Sequence, residues 1–473
     1  MKRLPSKTTL LLIFFLLVQI PLLLQPIGGG HKWRQAATAS VARNLALESF
    51  NPFYPRVDVR KNFSGITGME FPIYQSFVGV LYLFTSTSSD WQGHLISLIM
   101  AFGCISYIIL FAKKLLNLNA KWIVCSIFCI QEFFLLSSRI MSETTALFFV
   151  LLGTWHFISY YELRKFRDLF LACIGLALGL LSRPYVAAWG LIIFMYFLLS
   201  ISKRDFRSSI FLFCLGFIII TPFSFWYFIW SPYISETYYL EDYFFSGILN
   251  QNNFNQIFFE LTSLFTWSKL INTILYDYLN WILTPFFILG IVKSFKYFKN
   301  NLEIKSILVW IPSLTVLVVL MTSGNHFSPH SYYFIGIIPA LSIFVAQGLS
   351  EFETKYPKLG SKMIFFLPTI TVMLLWYIYP AYLKDIKPFE KVIPLVKQKV
   401  LKNDLVVSED LGPTSFSLHP IRRRGWVVPK EKINNINFVT QTKSLGAKWI
   451  LPIVNEEYHL YEIETWESKL SEK

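Results

Sequence analysis

The sequence predicts an α-helical protein that crosses a membrane many times and ends in a small soluble α/β domain. Three observations carry this reading. The chain of 473 residues is 54% hydrophobic and 18% aromatic but only 15% charged, more apolar surface than a soluble fold hides. Several apolar runs approach or exceed the roughly 18 residues that cross about 30 Å of hydrocarbon, and the runs together read as about eleven spans. Residues 381–473 then change character, becoming charged and carrying short β-rich runs.

The first run, residues 9–27, follows "MKRLPSKTT" and has the outline of a signal sequence. It is long for one and lacks a good A-x-A cleavage site, so it is expected to stay as the first span, with a cytoplasmic N-terminus. Further runs lie at 94–112, 120–136, 144–161, 169–182, 185–201, 208–230, 275–292, 305–322, 332–349 and 362–380. Only "SRP" separates 169–182 from 185–201, so Arg183 and Pro184 mark either a loop or a break within the membrane. Alternating the spans puts the basic clusters on one side: Lys113 and Lys114, and residues 164–167, 203–207, 293–299 and 355–362. Cytoplasmic loops have this character. The net charge of +14 therefore reflects membrane topology, and no nucleic-acid partner is expected.

The opposite side receives residues 28–93, 231–274 and 381–473, with smaller loops at 137–143 and 323–331. The expected division is a transmembrane part, 1–380, with 28–93 as its first outer loop, and a soluble α/β domain, 381–473, on the periplasmic or outer side of the plasma (inner) membrane. In the loop, "TASVARNLALE" and "EFPIYQSFVGVLYLF" suit helices lying at the membrane surface. In the soluble part, "DLVVSED", "SFSLHP", "GWVVPKE" and "GAKWILPIV" read as short β-rich runs between helix-compatible stretches. All five cysteines lie inside apolar runs. Cys125 and Cys129 share a helix face without further ligands, so neither a metal nor another cofactor is expected.

No phosphate-binding loop, dinucleotide fingerprint, nucleophile elbow or H-E-x-x-H motif is present. The polar residues instead gather on one side of the membrane. In "PRVDVR", an extended chain points Arg56, Asp58 and Arg60 the same way, either as a surface salt bridge or as a phosphate clamp around an ionised acid. Glu70 in "GMEFPIY" is either an acid favouring a helix start or a general base facing a cavity. Arg139 and Glu143 in "SSRIMSE" stand four apart at a span end, as a helical ion pair or as part of a site. His326, His330, Tyr332 and Tyr333 precede another span, where tyrosines are ordinary interface residues but paired histidines are less expected. "RRRGW", from Arg422, suits anionic headgroups or a solvated surface.

Together "HKWRQAATASVARN", "FNPFYPRVD", "GMEFPIY", "SRIMSE" and "HSYYFIGIIPAL" resemble bacterial members of glycosyltransferase family 39, the protein-mannosyltransferase-like and aminoarabinose-transferase-like enzymes of the GT-C fold. The resemblance runs in order from Thr9 to about Pro380. It implies a transferase that moves a sugar from a polyprenyl-phosphate donor to an acceptor on the outer face. It also implies a catalytic acid among Asp58, Glu70 and Glu143. Glu70 matches the acid before the family's Pro-containing interfacial motif, Glu143 the acid of the second outer loop, and Tyr332 and Tyr333 the aromatic pair near the lipid phosphate. The sequence departs from the family between His31 and Asn44, which holds no acid; Ala37 stands where related sequences often have Asp.

The chemistry suits the residues. A base for an acceptor hydroxyl and cations for a departing phosphate give inversion by direct displacement. Arg34, Arg43, Arg56, Arg60 and Arg139 are candidates for the phosphate, with His31, Trp33, His330, Tyr332 and Tyr333 beside the donor sugar and lipid. The acceptor, whether protein, lipid or glycan, is not named by the sequence. A flippase for lipid-linked sugars, a polysaccharide ligase or polymerase, and a non-catalytic relative remain the other readings. A flippase would want polar groups near the midplane, whereas these spans are largely apolar.

Overall fold

A computed structural model describes residues 6–238, 254–298, 301–323, 327, 330–376, 378–410 and 416–472. Inside a bilayer, backbone groups must be satisfied within the chain, so long apolar runs become helices. Among the described residues seven helical stretches are long and apolar enough to cross: Asp90–Leu116, Glu143–Leu163, Pro184–Ser202, Phe206–Tyr238, Leu302–Met321, Ser331–Lys355 and Pro357–Leu375. The other expected runs are shorter or broken helices. They are α1, Lys7–Leu23, the pair α5, Ala120–Cys129, and α6, Gln131–Leu136, then α8, Phe166–Ser182, and finally Thr284–Phe298. The last begins later than the apolar run at 275–292 because Asn280 and Trp281 take left-handed backbone angles that stop the preceding turn. Pro285 then sits in a first helical turn, where its missing N–H costs nothing.

The bundle has two chemically different ends. At one, Lys114 pairs with Glu162 and lies 3.7 Å from Glu303, Lys121 lies 2.6 Å from Glu353, and Lys293 lies 3.4 Å from Glu351. These are the ends that carry the basic clusters. The candidate site residues occupy the other. On helix α7, Glu143–Leu163, the first residue belongs to the site end and the cap Arg164 to the basic end, about 30 Å apart at 1.5 Å per residue. Helices α7 and α8 touch backbone to backbone: a Cβ on Gly153 would sit 2.5 Å from the Leu176 nitrogen. Small residues permit such close crossing, and it brings Glu143 beside the residue that follows α8, Arg183.

The first outer loop holds α2, Lys32–Leu47, and α3, Ile73–Thr85. Helix α3 is amphipathic as expected. Ile73, Tyr74, Val78 and Tyr82 are buried, while Phe77, Val80, Leu83 and Phe84 are exposed, a face a bilayer surface would cover. The expectation for α2 needs correction. Every residue from Arg34 to Leu45 is buried, so α2 is packed on all sides rather than lying on the interface. Ala36, Ala37, Ala39, Ser40 and Ala42 keep it thin enough for that.

The C-terminal segment forms three parallel strands, β1 (Leu405–Glu409), β2 (Arg424–Val428) and β3 (Ala447–Leu451), in the order β2-β1-β3, with Tyr461–Glu462 antiparallel on β3. The "SFSLHP" run is not a strand; Leu418–Ile421 is a helical turn, its Leu418 and His419 buried against the sheet and first loop. One face of the sheet has its own core around Val407, Trp426, Ile450 and Trp466. The other shares a cluster with the first loop, in which Val396, Val406 and Leu418 meet Ala39, Ala42 and Tyr74. The sheet edge is also occupied by the loop. Gly425 N–H donates to the Asp58 carbonyl, and the Gly425 carbonyl accepts from Arg60 and Lys61 N–H.

Candidate active site

The segment that carries Glu70 is fixed by its backbone. Gly68 N–H donates to Ser235 Oγ at 2.9 Å, Trp226 Nε1–H donates to the Met69 carbonyl at 2.7 Å, and Phe71 N–H donates to the Leu181 carbonyl at 3.2 Å. This aims the carboxylate of Glu70 inward, where it accepts from Arg34 at 2.8 Å and from Gln75 at 3.2 Å. Arg183 lies 3.6 Å from the other Glu70 oxygen and pairs directly with Glu143. The result is a chain of alternating charge, Arg34–Glu70–Arg183–Glu143. None of the four side chains is more than 7% exposed, so the charges depend on one another rather than on water.

Burial opposes ionisation of Glu70, but the Arg34 and Arg183 charges, with the Arg34 hydrogen bond, outweigh it and hold the carboxyl below its ordinary range. Such a carboxylate is a weak base until its cations are engaged elsewhere. A phosphate drawing on Arg34 and Arg183 would return basicity to Glu70 as it arrives.

Next to this chain lies an aromatic wall. His31 packs edge-on to Tyr332 at 4.7 Å between ring centres, His330 lies 6.1 Å from both His31 and Trp33, and Tyr333 stacks on Tyr185 at 4.1 Å. His31 has φ +58°, a left-handed conformation uncommon for a side-chain-bearing residue. Strained backbone of this kind clusters at working sites. Burial, then Arg139 and His330, push the His31 pKa down to about 3, so its ring is neutral at ordinary pH. Arg139 lies over Gly30, where a Cβ would meet its Nη2 at 2.7 Å.

The other expected pairings are only partly kept. Arg139 and Glu143 do not pair with each other: residues 137–142 form no helix, Arg139 turns toward Glu132 at 3.9 Å, and Glu143 turns to Arg183. Asp58 pairs with Arg43 and accepts from Asn44, while Arg56 and Arg60 both turn to Glu48 at 3.5 and 2.9 Å. Thus Arg56 turns to an acid outside the motif, while Arg60 sits closer to that acid than to Asp58, from which it lies 3.9 Å. Arg34 and Arg43 stand nine positions apart on α2, two and a half turns, which puts them on opposite faces and about 13 Å apart along the axis. His326 lies outside the described residues.

Sequence reasoning missed Arg183, Glu132 and Tyr185. The first two had a signal: each is a charged residue flanked by apolar runs, which marks a functional candidate in a membrane protein. Tyr185 had none, because its role depends on a stacking partner far along the chain. Among the described residues no group of three or more His, Cys, Asp or Glu could hold a metal ion.

Residues 75–228 match the family model described as dolichyl-phosphate-mannose-protein mannosyltransferase. No curated protein sequence matches the chain. Among solved structures, the chain is similar to ArnT from Cupriavidus metallidurans in the apo state, with TM-score 0.59 and 11% identity over 89% of this chain and 85% of that one. It is likewise similar to the same ArnT bound to undecaprenyl phosphate, with TM-score 0.57 and 12% identity over 89% and 86%. The Archaeoglobus fulgidus oligosaccharyltransferase, in its apo form, aligns with TM-score 0.54 and 12% identity over 94% of this chain and 69% of that one. The chain therefore shares its fold with ArnT and the archaeal oligosaccharyltransferase, and its residues 75–228 match the mannosyltransferase model, in line with the resemblance read from its sequence.

Proposed function

We propose that this protein is a membrane glycosyltransferase that takes a sugar from a polyprenyl-phosphate donor and passes it to an acceptor hydroxyl, on the face opposite the basic loops. The observation that carries the reading is the buried chain Arg34–Glu70–Arg183–Glu143 beneath the first loop. The acceptor oxygen attacks the anomeric carbon, the bond from that carbon to the phosphate oxygen breaks, and configuration inverts. The acceptor proton passes to a carboxylate, Glu70 or Glu143, and the departing phosphate stays with Arg34 and Arg183, with Arg139 nearby. Guanidinium groups suit this because they hold phosphate bidentately.

Two further observations support a lipid-linked donor. The ArnT structure to which the fold is similar was solved with undecaprenyl phosphate. In this chain an apolar cavity of about 480 Å³, lined by Leu180, Ala187, Ile193, Phe197, Phe217 and Phe223, begins within a turn of Arg183 on either side. It suits an isoprenoid tail whose phosphate reaches the arginines. His31, Trp33, His330, Tyr332 and Tyr333 would then border the donor sugar.

The test is transfer by the purified protein in nanodiscs, from a panel of radiolabelled polyprenyl-phosphate sugars to host membrane extract. Wild type should move label to a new product; Glu70→Gln or Glu143→Gln should abolish this, while Asp58→Asn, outside the charge chain, should retain it. Loss of transfer in Asp58→Asn alone would move the base to the other face of α2. Exposure of donor across the membrane without transfer would favour a flippase.

A further inference from the structure

A second cavity, of about 710 Å³, lies on the far face of α2, between the first loop, the end of α3 and the strand domain. Its volume is within the range of small-molecule sites. Six basic side chains line it: Arg43, Arg60, Lys402, Arg422, Arg423 and Arg424. Among the described residues two acids do, Glu48 and Asp58, and both are already engaged. Asp58 pairs with Arg43. Glu48 accepts from both terminal nitrogens of Arg60, at 3.0 and 2.9 Å, and lies within 3.6 Å of Arg424.

Lys402 and Arg422 have no carboxylate within ion-pair distance among the described residues, and Arg423 shares the charge of Asp404 with Lys448, which lies 2.9 Å from that acid. Arg423 spends one nitrogen on the Val396 and Val400 carbonyls, at 3.3 and 2.6 Å, which cancel no charge. The Nε atoms of Arg423 and Arg424 are buried without a hydrogen-bond acceptor. Arg422 takes φ +52°, a left-handed angle, and donates to Ser88 Oγ at 3.2 Å. Like charges held together in this way repel, and an anion among them would remove that cost. The rest of the wall is hydroxyl-rich, with Ser86, Thr87, Ser88 and Ser89. Its edge is apolar and open, with Leu47 64% and Leu83 53% exposed.

We propose that this cavity binds a phosphate group carried on a sugar or polyol headgroup, at a site separate from the Glu70 chain. The unmatched cations take the phosphate, the hydroxyl wall takes the polyol, and the apolar edge lets a lipid tail remain in the bilayer if there is one. The proposal goes beyond the transferase reading and stands whether or not sugar is transferred.

The test uses the full-length protein in nanodiscs at low salt. Two probes separate a soluble source from a lipid one: glucose 1-phosphate added to phosphatidylcholine discs, and phosphatidylglycerol incorporated in the discs, each read by binding or lipid retention. The exposed pair Lys402→Gln and Arg422→Gln is compared with Lys430→Gln and Lys432→Gln, an equal change of charge outside the cavity. The cavity pair should weaken glucose 1-phosphate binding, or phosphatidylglycerol retention, by about tenfold or more, as expected for lost charge-assisted contacts. The outer pair should change it by less than about twofold, as exposed charges count little. Loss confined to glucose 1-phosphate identifies a soluble ligand, and loss confined to phosphatidylglycerol a lipid headgroup; either supports the site. Equal effects of both pairs, or no binding of either probe by wild type, would overturn it.

Discussion

Replacing Arg183 by Gln removes the cation that Glu70 and Glu143 share. The two acids are not affected alike. Glu70 retains Arg34 at 2.8 Å and Gln75 at 3.2 Å. Glu143, 2% exposed, has no second cation within ion-pair distance among the described residues. Removing one member of a buried pair costs about 3–5 kcal/mol, because the survivor is left charged without compensation. Most of that penalty should therefore sit on Glu143. Adding Glu143→Gln removes the stranded charge, so the double variant should regain about 2 kcal/mol or more relative to Arg183→Gln alone, within the range of coupling for residues in one network. Unfolding in a fixed detergent, followed by tryptophan fluorescence for wild type, both single variants and the double variant, gives the cycle. A single variant within about 1 kcal/mol of wild type, or a double variant that falls by the sum of the singles, would show that the charge chain does not hold these helices as described.

Three further outcomes are expected. With a folded-state pKa of about 3 against an ordinary 6.5, His31 makes the unfolded chain the better proton acceptor. Its stabilisation is complete above about pH 6.5 and is lost as pH falls toward 3, about 2 kcal/mol of it by pH 5. His31→Asn, which tolerates the left-handed angle, should lose less stability than wild type between pH 6.5 and 5, and equal slopes would refute this. Gly425→Ala places a Cβ 2.0 Å from the Val406 carbonyl oxygen at φ +147°; it should destabilise by about 2–4 kcal/mol and speed proteolysis of residues 56–66, which an unchanged cleavage rate would contradict. Gly153→Leu should force α7 from α8, costing about 1–3 kcal/mol and lowering donor turnover more than donor binding, since it moves Glu143 from Arg183; unchanged turnover would argue against that placement.

Most of the fold was legible because a bilayer leaves the chain few choices. Apolar length gives helices, and the expected alternation groups the basic loops at one end, where the ion pairs of Lys114, Lys121 and Lys293 lie. What failed was local or long-range. Asn280 and Trp281 displaced a helix start through backbone angles that no hydropathy pattern encodes. The "SFSLHP" run read as strand because Phe and Leu alternate with Ser, yet Leu418 and His419 are used to face the first loop. At the site, the residue types were visible but their partners were not. Glu70 and Glu143 were singled out separately, and the residue that joins them, Arg183, was read only as a possible break. Periodicity does place Arg34 and Arg43 on opposite faces of α2, so the division of the arginines between the Glu70 chain and the basic cavity was derivable once the helix was fixed at both ends.

Those ends are fixed by residues distant in sequence. At the start of the loop, Asp385 accepts from Gly29 N–H at 2.8 Å and from Lys32 at 2.7 Å. Asp90 accepts from Ile27 N–H at 3.0 Å and pairs with His419, also at 3.0 Å. Beyond α2, the Asp58–Lys61 backbone continues the edge of β2 through Gly425. Between these points Ala39 and Ala42 share an apolar cluster with Val396 and Val406. Helix α2 is thus clamped from above by the strand domain and from the side by α3. Its sequence is too polar and too rich in alanine to hold a position at a membrane surface through its own hydrophobic face. The clamp resolves that conflict. It lets a thin helix with an arginine on each of two faces be buried whole, with Arg34 paired to Glu70 and Arg43 paired to Asp58. A strand domain that merely hung outside the membrane would need neither the shared core nor the borrowed sheet edge, so its structural role is to hold α2 in place and to complete the basic cavity.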